Sequence, residues 1–252
     1  MDFYSQNGED FLLYELLKHI DNGFFVEVGC IDGRRFSNTL VFEENGWKGI
    51  CIEAHEDYID LIKKNRPNSI VCHCAVGERE EEGVTFYANS RGSLSTLNPN
   101  MEEEFRSKFP LYFNGFIEKK VDKKTLDSIC EYYNIHKIDI LSIDIEGYEV
   151  EALKGLTIKK YMPKVLLVES SSIEEEELLD SIVLNNGYKK LCYLSNNIFY
   201  VHEDFTYSNV LNNRFSFNII HTAHPLDNLD DSKLKLNLTT NGLGERAFIE
   251  EI

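Results

Sequence analysis

Glycines and carboxylates stand at the ends of apolar runs in this 252-residue sequence, where they could bind a ligand. Gly29 and Gly33 follow the first run, and Glu53 closes the second. Two glycines four residues apart permit a tight turn and a close approach of the backbone to a ligand. Cys30 and Ile31 break the G-x-G-x-x-G pattern of a dinucleotide-binding turn, which disfavours a pyrophosphate at this position.

Glu53 follows the glycine turn by about 20 residues, a spacing at which an acidic side chain accepts hydrogen bonds from ribose hydroxyls. A carboxylate offers two acceptor oxygens, and these match a diol geometrically. The spacing therefore indicates an adenosine-containing ligand, and it does not separate one class of adenosine cofactor from another.

Asp144 and Glu146 follow a further apolar run and are the predicted catalytic residues. Asp144 is suited to orient an ammonium group or to accept a proton from a substrate hydroxyl. The two carboxylates could instead hold Mg²⁺ or Mn²⁺, which are hard cations with a preference for oxygen ligands. A metal requirement is left open at this point, and His73 is interpreted as a packed strand residue.

The elements that must position these residues alternate between strand and helix, the pattern of an α/β fold with a parallel sheet. The last two predicted strands flank a polar turn at 195–197 and form a hairpin. The predicted strands are 23–29, 47–53, 69–76, 83–89, 138–144, 164–169, 188–194 and 198–202. The predicted helices are 37–45, 58–65, 125–133, 150–153 and 174–184.

Two segments lack a sustained periodicity. Residues 89–119 mix glycine, serine, asparagine, proline and aromatic residues, which is typical of a substrate-binding loop or lid. Residues 203–252 are rich in asparagine and apolar only in patches. We therefore predict one domain over 1–202 and a C-terminal extension of unknown role over 203–252, with self-association into a homo-oligomer left open.

The charge balance restricts the partners. The chain carries 26 Lys and Arg residues against 43 Asp and Glu, a formal net charge of −17, which repels a phosphate backbone and argues against nucleic acid. No apolar stretch reaches the length of a membrane span, and the first residues do not resemble a signal peptide, so we expect a cytoplasmic protein. Six cysteines without a C-x-x-C pair predict reduced structural thiols.

Several motifs in order along the chain resemble the FkbM-type methyltransferases of the class I S-adenosylmethionine-dependent superfamily. The resemblance spans about 5–169 and is carried by SQNGED (5–10), FVEVGCIDG (25–33), FSNT (36–39), CIEA (51–54), AV (75–76), TLD (125–127) and LSIDIEGYE (141–149). It implies a doubly wound, mostly parallel, Rossmann-like sheet of seven strands in the order 3-2-1-4-5-7-6, ending in the antiparallel hairpin.

The resemblance also implies which residues bind the cofactor. Glu27, Gly29 and Gly33 would cradle the methionine portion, and Glu53 would bind the ribose. The backbone amides at 37–39 would hold the carboxylate, and the segment 5–10 would close over the ligand. The full set of predicted cofactor-binding residues is Gln6, Glu9, Glu27, Gly29, Asp32, Gly33, Ser37, Asn38, Thr39, Glu53, Ala54, Cys74, Ala75 and Asp144.

The function implied by the resemblance is O-methylation of a sugar hydroxyl, on a nucleotide-linked sugar, a polysaccharide or a glycosylated natural product. Three alternatives stay open on the residues themselves. One is a nicotinamide-dependent oxidoreductase on a related sheet, which the strand-one turn disfavours. Another is a non-catalytic module of the same fold that binds a sugar or a protein. The third is a metal-assisted hydrolase that uses Asp144 and Glu146, which the lack of a nearby histidine ligand disfavours.

Overall fold

The strands form from the apolar runs of the sequence, because β-branched and aromatic side chains pack well on a pleated surface. The computed structural model describes residues 1–207, 214–221, 232–239 and 246–251. The described strands are β1 (Phe24–Val28), β2 (Lys48–Glu53), β3 (Ile70–His73), β4 (Ala75–Val76), β5 (Glu81–Ala88), β6 (Ile117–Lys124), β7 (Ile140–Ile143), β8 (Val165–Glu169), β9 (Tyr188–Leu194), β10 (Asn197–His202), β11 (Arg214–His221), β12 (Ser232–Thr239) and β13 (Arg246–Glu251).

Helices connect most of the strands in the first 190 residues. The described α-helices are α1 (Glu9–Leu17), α2 (Leu40–Glu44), α3 (Ile59–Asn65), α4 (Met101–Lys108), α5 (Leu126–Tyr132), α6 (Glu149–Lys154), α7 (Ile158–Tyr161) and α8 (Ile173–Val183). Short 3-10 helices span Glu56–Tyr58 and Leu184–Asn186. None of the helices in the described part of the chain combines the length and the hydropathy needed to cross a bilayer.

Ten of the described strands form one sheet, in the order β11-β12-β13-β9-β10-β8-β7-β1-β2-β3. The stretch from β3 to β9 follows the order 3-2-1-4-5-7-6, with parallel pairing from β3 to β8 and antiparallel pairing of β10 with β8 and β9. This confirms the Rossmann-like α/β class. The predicted seven-stranded, mostly parallel sheet is confirmed, and β13, β12 and β11 continue it beyond β9.

Helices cover both faces of the central sheet, as expected of a doubly wound fold. Successive strand residues point to opposite faces. Phe25 and Leu167 therefore pack in one apolar cluster with α1, α2 and α3, whereas Val26 and Leu166 pack in another with α5, α6 and α8. Because both faces are buried, the central strands are mostly apolar, which is the reason why the sequence predicted them well.

Two helix starts have capping side chains that satisfy backbone groups. The Thr125 hydroxyl accepts a hydrogen bond from the Ser128 amide at 3.1 Å, and the Ser172 hydroxyl accepts one from the Glu175 amide at 3.1 Å. Such caps typically stabilise a helix by about 1 kcal/mol. The predicted helix 125–133 thus begins at a capping residue, Thr125.

A second, three-stranded sheet stands beside the first in the order β4-β6-β5. The predicted single strand 69–76 is divided, because a bend at Cys74 separates β3 in the large sheet from β4 in the small one. The predicted loop 89–119 contains α4 and the first residues of β6. The prediction missed α4 because three consecutive glutamates obscure its two buried residues, Met101 and Phe105.

The described parts of the segment 203–252 continue the large sheet through β11, β12 and β13. Phe3 forms an isolated bridge with Ile219, and the Ile220 amide donates to the Phe3 carbonyl at 2.7 Å. The N-terminal residues therefore contact β11. The division into a domain over 1–202 and an extension stays a prediction.

Candidate active site

A cavity of about 610 Å³ lies at the carboxyl ends of β1, β2, β7 and β8. Strand order reverses between β1 and β7, and open α/β sheets bind their ligands at such a crevice. The predicted site residues that line the cavity are Gln6, Glu9, Glu27, Gly29, Ser37, Asn38, Glu53, Ala54, Cys74, Ala75, Asp144 and Glu146. The fold thus brings together residues that are far apart in the sequence.

Gly29 allows the two central loops to meet below the cavity. Its φ angle is +81°, and a β-carbon built at this position would lie 1.8 Å from the Asp144 carbonyl oxygen. A side chain here would push the end of β7 away from the end of β1. The glycine is therefore required by the backbone approach that places Asp144 beside the β1 turn.

Glu53 ends β2 with its carboxylate at the cavity wall. One oxygen accepts the Ile31 amide and the other accepts the His55 amide, each at 2.8 Å. Each oxygen keeps a second lone pair, so both can still accept a hydroxyl hydrogen bond. Burial raises the pKa of Glu53 to about 7, against the effect of the backbone donors. Two hydroxyl donors would favour the ionised form.

The wall beside Glu53 is mostly apolar and suits a flat base. It comes from the end of β2, from the start of the small sheet and from β5. The residues are Ile52, Ala54, Cys74, Ala75, Val76 and Phe86.

The opposite end of the cavity carries acceptor groups from the N-terminal segment and from the hairpin. Glu9 is buried, and its carboxylate accepts from the Asn7 amide at 2.8 Å and from Asn197 Nδ2 at 3.1 Å. Within the described residues, Asn197 Oδ1 is buried without a hydrogen-bond partner. An unpartnered acceptor next to a carboxylate fits an ammonium group, which donates three hydrogen bonds.

Asp144 and Glu169, at the ends of β7 and β8, place carboxyl oxygens within 4.8 Å of one another at the cavity wall. Two neighbouring carboxyl groups cannot both ionise easily, so one of them keeps a proton. Burial raises the pKa of Asp144 to about 6, and burial with the nearby carboxylates raises the pKa of Glu169 further. Glu169 is therefore the protonated partner, and Asp144 is the stronger acid.

Glu146 is held over the same cavity in a strained backbone conformation. Its φ angle is +58°, and its carboxylate accepts the Leu94 amide at 3.2 Å. Burial and the Asp144 charge raise its pKa to about 8. Glu149 closes the loop by accepting the Ile145 amide at 2.8 Å and the Gly147 amide at 2.9 Å. Non-glycine residues with positive φ often occur at functional sites.

Three of these residues have carboxylates close enough together to bind one cation. Carboxylate oxygens of Asp144, Glu149 and Glu169 lie within 4.8 Å of one another. However, both oxygens of Glu149 already bind backbone amides, and burial favours the protonated form of Glu149 and Glu169. The geometry therefore favours a shared proton over the predicted Mg²⁺ or Mn²⁺.

The model of the FkbM methyltransferase domain matches residues 27–190, which is more than half of the chain. The chain belongs to the FkbM methyltransferase family. It is therefore a methyltransferase, and the family implies S-adenosylmethionine as the methyl donor. No curated protein matches the sequence significantly.

Solved structures with a related architecture include methyltransferases from two organisms. A TehB-like SAM-dependent methyltransferase from Corynebacterium glutamicum has 9% identity and a TM-score of 0.40, covering 79% of this chain and 88% of the other. A SAM-dependent methyltransferase from Methanosarcina mazei has 8% identity and a TM-score of 0.34, with coverages of 73% and 95%. Both TM-scores are below 0.5, so we base no conclusion on these neighbours.

Three of the predicted cofactor-binding residues of this FkbM-family methyltransferase do not line the cavity: Asp32, Gly33 and Thr39. Asp32 closes the turn instead, by accepting the Arg34 amide at 2.9 Å and the Arg35 amide at 2.7 Å. Sequence reasoning placed them at the ligand because they flank residues that do reach it.

The predicted anion site at 37–39 is also disfavoured, because its amides already have partners. The Asn38 amide donates to Glu27 at 2.7 Å, and the Thr39 amide donates to the Ser37 hydroxyl at 3.2 Å. The Glu27 carboxylate also accepts from Ser37, Thr39 and Arg66. Glu27 therefore organises this turn, although it also borders the cavity.

Sequence reasoning did not name several cavity residues of the FkbM-family fold, among them Glu169 and Asn197. Glu169 could have been found, because it ends a predicted strand, as Glu53 and Asp144 do. Asn197 lies in a hairpin turn, where asparagine is common for conformational reasons alone. The segment 89–119 was predicted as a substrate-binding loop, although its individual residues carry no local signal; those that line the cavity are Gly92, Ser93, Leu94, Ser95, Thr96, Leu97, Phe109 and Tyr112.

Proposed function

We propose that this methyltransferase transfers a methyl group from S-adenosylmethionine to a hydroxyl oxygen of a sugar. The observation that supports it best is the close pair of buried carboxyl groups of Asp144 and Glu169 at the wall of the cavity. A hydroxyl nucleophile must lose its proton during transfer, and a carboxylate held near its pKa can accept that proton. A mainly ionised Asp144 beside a protonated Glu169 meets this need at neutral pH.

The chain has groups suited to each part of the donor. Glu53 would accept the ribose hydroxyls, and the apolar wall beside it would hold the adenine. Glu9 and Asn197 Oδ1 would hold the ammonium group. When bound, S-adenosylmethionine supplies a methyl group on a sulfonium cation. The cavity volume of about 610 Å³ lies within the usual range of small-molecule sites.

Asp144 would orient the acceptor hydroxyl and take its proton, while Glu169 donates a hydrogen bond to the same carboxylate. That hydrogen bond lowers the pKa of Asp144, against the effect of burial. Glu146, held by the Leu94 amide, borders the same space and is the second predicted catalytic residue. It would contact the acceptor in its protonated form, as a donor to a neighbouring hydroxyl.

The side chains around the cavity mouth favour a sugar over an apolar acceptor. Ser93, Ser95 and Thr96 line one side with hydroxyl groups. Phe109 and Tyr112 line the mouth and are partly exposed. Hydroxyl groups provide hydrogen bonds for a polyol, and aromatic faces cover its C–H groups. We further propose that the enzyme acts in the cytoplasm. We also propose that its substrate is not nucleic acid, because the net charge of −17 repels a phosphate backbone.

The proposal is tested with Asp144→Asn. We expect turnover with sugar acceptors to fall by about 100-fold or more, because the amide cannot accept the proton. S-adenosylhomocysteine affinity, measured by calorimetry, should change little. Asp60→Asn is the matched control, because the Asp60 side chain is 96% exposed on α3.

Acceptors are screened as nucleotide sugars, oligosaccharides and simple glycosides, with detection of S-adenosylhomocysteine release. Near-normal turnover in Asp144→Asn would contradict the role of Asp144. If S-adenosylhomocysteine binds and no hydroxylated sugar is methylated while another nucleophile class is, the sugar assignment is wrong. Binding of NAD in place of S-adenosylhomocysteine would overturn the cofactor assignment.

A further inference from the structure

Two cysteines next to the cofactor cavity have a geometry that the proposed methyl transfer does not use. Cys72 lies in β3, and Cys74 forms the bend that follows β3. Their sulfur atoms are 3.5 Å apart, and both thiols are free and buried. The close approach of the two sulfurs distinguishes this pair from an isolated buried cysteine.

The two thiols face different cavities. Cys74 lines the large cavity beside Ala75, whereas Cys72 lines a second cavity of about 210 Å³. This second cavity is bordered by Lys124, Tyr133 and the exposed Tyr132. A water molecule occupies about 30 Å³ in the liquid, so a small oxidant can reach Cys72 from this side.

The surroundings of Cys72 favour its thiolate, the reactive form of the side chain. Hydrogen bonds from the Cys74 thiol and the Tyr133 hydroxyl lower the pKa of Cys72, against burial, and the Lys124 ammonium lowers it further. Glu80 also borders the small cavity. The Cys74 thiol, as the donor to Cys72, has its own pKa raised.

The backbone at this pair is tied to the predicted ribose site. The Cys74 amide donates to the Glu53 carbonyl at 3.1 Å. The His73 Nε2 atom lies 3.1 Å from the Ala54 carbonyl. A change of the Cys74 conformation is therefore transmitted to the end of β2, where the Glu53 carboxylate faces the cavity.

We propose that Cys72 and Cys74 are a modification site at which hydrogen peroxide forms an intramolecular disulfide that weakens binding of the adenosyl cofactor. The inference rests on the proposed placement of the adenosine against Glu53, Ala54 and Cys74. A disulfide bond is about 2.05 Å long, so the sulfurs must approach by about 1.5 Å from their present separation. That movement draws the Cys74 side chain out of the cavity wall and displaces the bend.

The chemistry balances in two steps. The Cys72 thiolate attacks one oxygen of hydrogen peroxide, breaks the O–O bond and becomes a sulfenic acid, while the leaving hydroxide takes a proton to form water. The Cys74 sulfur then attacks the sulfenic sulfur and displaces the hydroxyl group, which leaves as a second water with the thiol proton. Two thiols are oxidised and one peroxide is reduced.

The first test locates the disulfide in the full chain. Reduced protein is treated with a small excess of hydrogen peroxide, alkylated, and digested with trypsin. The peptide 65–79 contains Cys72 and Cys74 and no other cysteine, because the Arg66–Pro67 bond resists cleavage. We expect this peptide to lose two hydrogens and to escape alkylation. Alkylation of both cysteines after oxidation would overturn the proposal.

The second test measures S-adenosylhomocysteine affinity by calorimetry before oxidation, after oxidation and after reduction with dithiothreitol. We expect oxidation to weaken binding by about tenfold or more, with recovery on reduction. Cys72→Ser should bind like the wild type and lose the response, whereas Cys130→Ser, which replaces another buried thiol on α5, should keep it.

The outcomes separate this inference from the proposed function. A reduced protein that fails to bind S-adenosylhomocysteine contradicts the cofactor assignment itself. A reduced protein that binds, and whose oxidised form carries the disulfide with unchanged affinity, contradicts only the coupling proposed here. The wild-type cycle of oxidation and reduction decides this even if Cys72→Ser does not fold.

Discussion

At the scale of single residues, the protonation of the Asp144–Glu169 pair decides how the cavity can work. If the pair shares one proton, Glu169 is neutral at pH 7 and acts only as a hydrogen-bond donor to Asp144. If the pair holds a cation, both carboxylates must be charged. The two cases predict different activities for a variant in which a neutral residue of the same shape replaces Glu169.

We expect Glu169→Gln to keep kcat within about threefold of the wild type at pH 7, because the amide is neutral and still donates to Asp144. Glu169→Leu removes that donor, and the donor lowers the pKa of Asp144. The acidic limb of the pH profile of kcat/KM should therefore move to higher pH in Glu169→Leu. A Glu169→Gln variant as inactive as Asp144→Asn would contradict the shared proton and favour a bound cation.

The residues of this site differ in how well the sequence predicts them. Glu53 and Asp144 follow apolar strands directly, and the edge of a parallel sheet brings such positions together. Glu27 was assigned to the ligand, yet its carboxylate mainly serves Arg66 and the turn at 37–39. A sequence does not show which polar groups satisfy one another, so the hydrogen bonds of Glu27 within the turn could not be predicted, and its contact with the ligand stays a prediction.

At the scale of elements, Arg66 joins the end of α3 to the β1 turn and to α2. Its guanidinium is fully buried and donates to Glu27 at 2.9 Å, Glu43 at 2.7 Å and Thr39 at 2.8 Å. These bonds fix the loop that carries Gly29 to the cavity. Nothing in the local pattern around Arg66 predicts this, because all of its partners are more than 20 residues away in the sequence.

Replacement of Arg66 should therefore weaken the fold more than its position at a helix end suggests. We expect Arg66→Ala to lower the free energy of unfolding by about 3–5 kcal/mol, because Glu27 and Glu43 would remain buried without their cation. Urea unfolding measures the change. Lys63→Ala, on the exposed side of α3, is the control and should change stability by less than about 0.5 kcal/mol. Equal stability of the two variants would contradict the role of Arg66.

Some strands and helices have a clear hydrophobic pattern in the sequence, and others do not. The central strands and the helices α2, α3, α5, α6 and α8 were predicted because each buries a continuous or periodic apolar surface, whereas the short helix α7 was not predicted. The strands β11, β12 and β13 were not, because the segment 203–252 is apolar only in patches. Only β13 pairs with β9, which lies more than 40 residues earlier in the chain, and β12 and β11 then pair with β13 and β12 in turn.

At the scale of the whole molecule, the negative net charge and the burial of acidic side chains both favour proton binding by the folded protein. The net charge is −17, and burial raises the pKa of Asp10 to about 7, of Glu53 to about 7, of Asp144 to about 6 and of Glu146 to about 8. In the unfolded chain such groups titrate near 4. Between about pH 4 and 8, the folded protein therefore binds more protons than the unfolded chain.

Stability that depends on these protons is lost as pH rises through the folded pKa values, so the ligand-free protein should unfold at a lower temperature at pH 8 than at pH 6. Buried His55 has a lowered pKa, so below about pH 6.5 it makes stability rise with pH, in the opposite direction. It is one group against several carboxyl groups. Asp57 and Asp139 have lowered pKa values, so they affect the pH dependence of stability only near pH 4 and below.

We expect a decrease of at least about 2–4 °C in Tm from pH 6 to pH 8, which corresponds to about 1 kcal/mol for a chain of this size. S-adenosylmethionine carries a positive sulfonium that S-adenosylhomocysteine lacks, and it should favour the ionised carboxylates. Its extra stabilisation over S-adenosylhomocysteine, read from the same thermal scans, should therefore grow as pH rises from 6 to 8. If Tm does not fall with pH, or if the difference between the two ligands stays constant, the carboxylates around the cavity are already ionised without a ligand, and the shared proton between Asp144 and Glu169 is wrong.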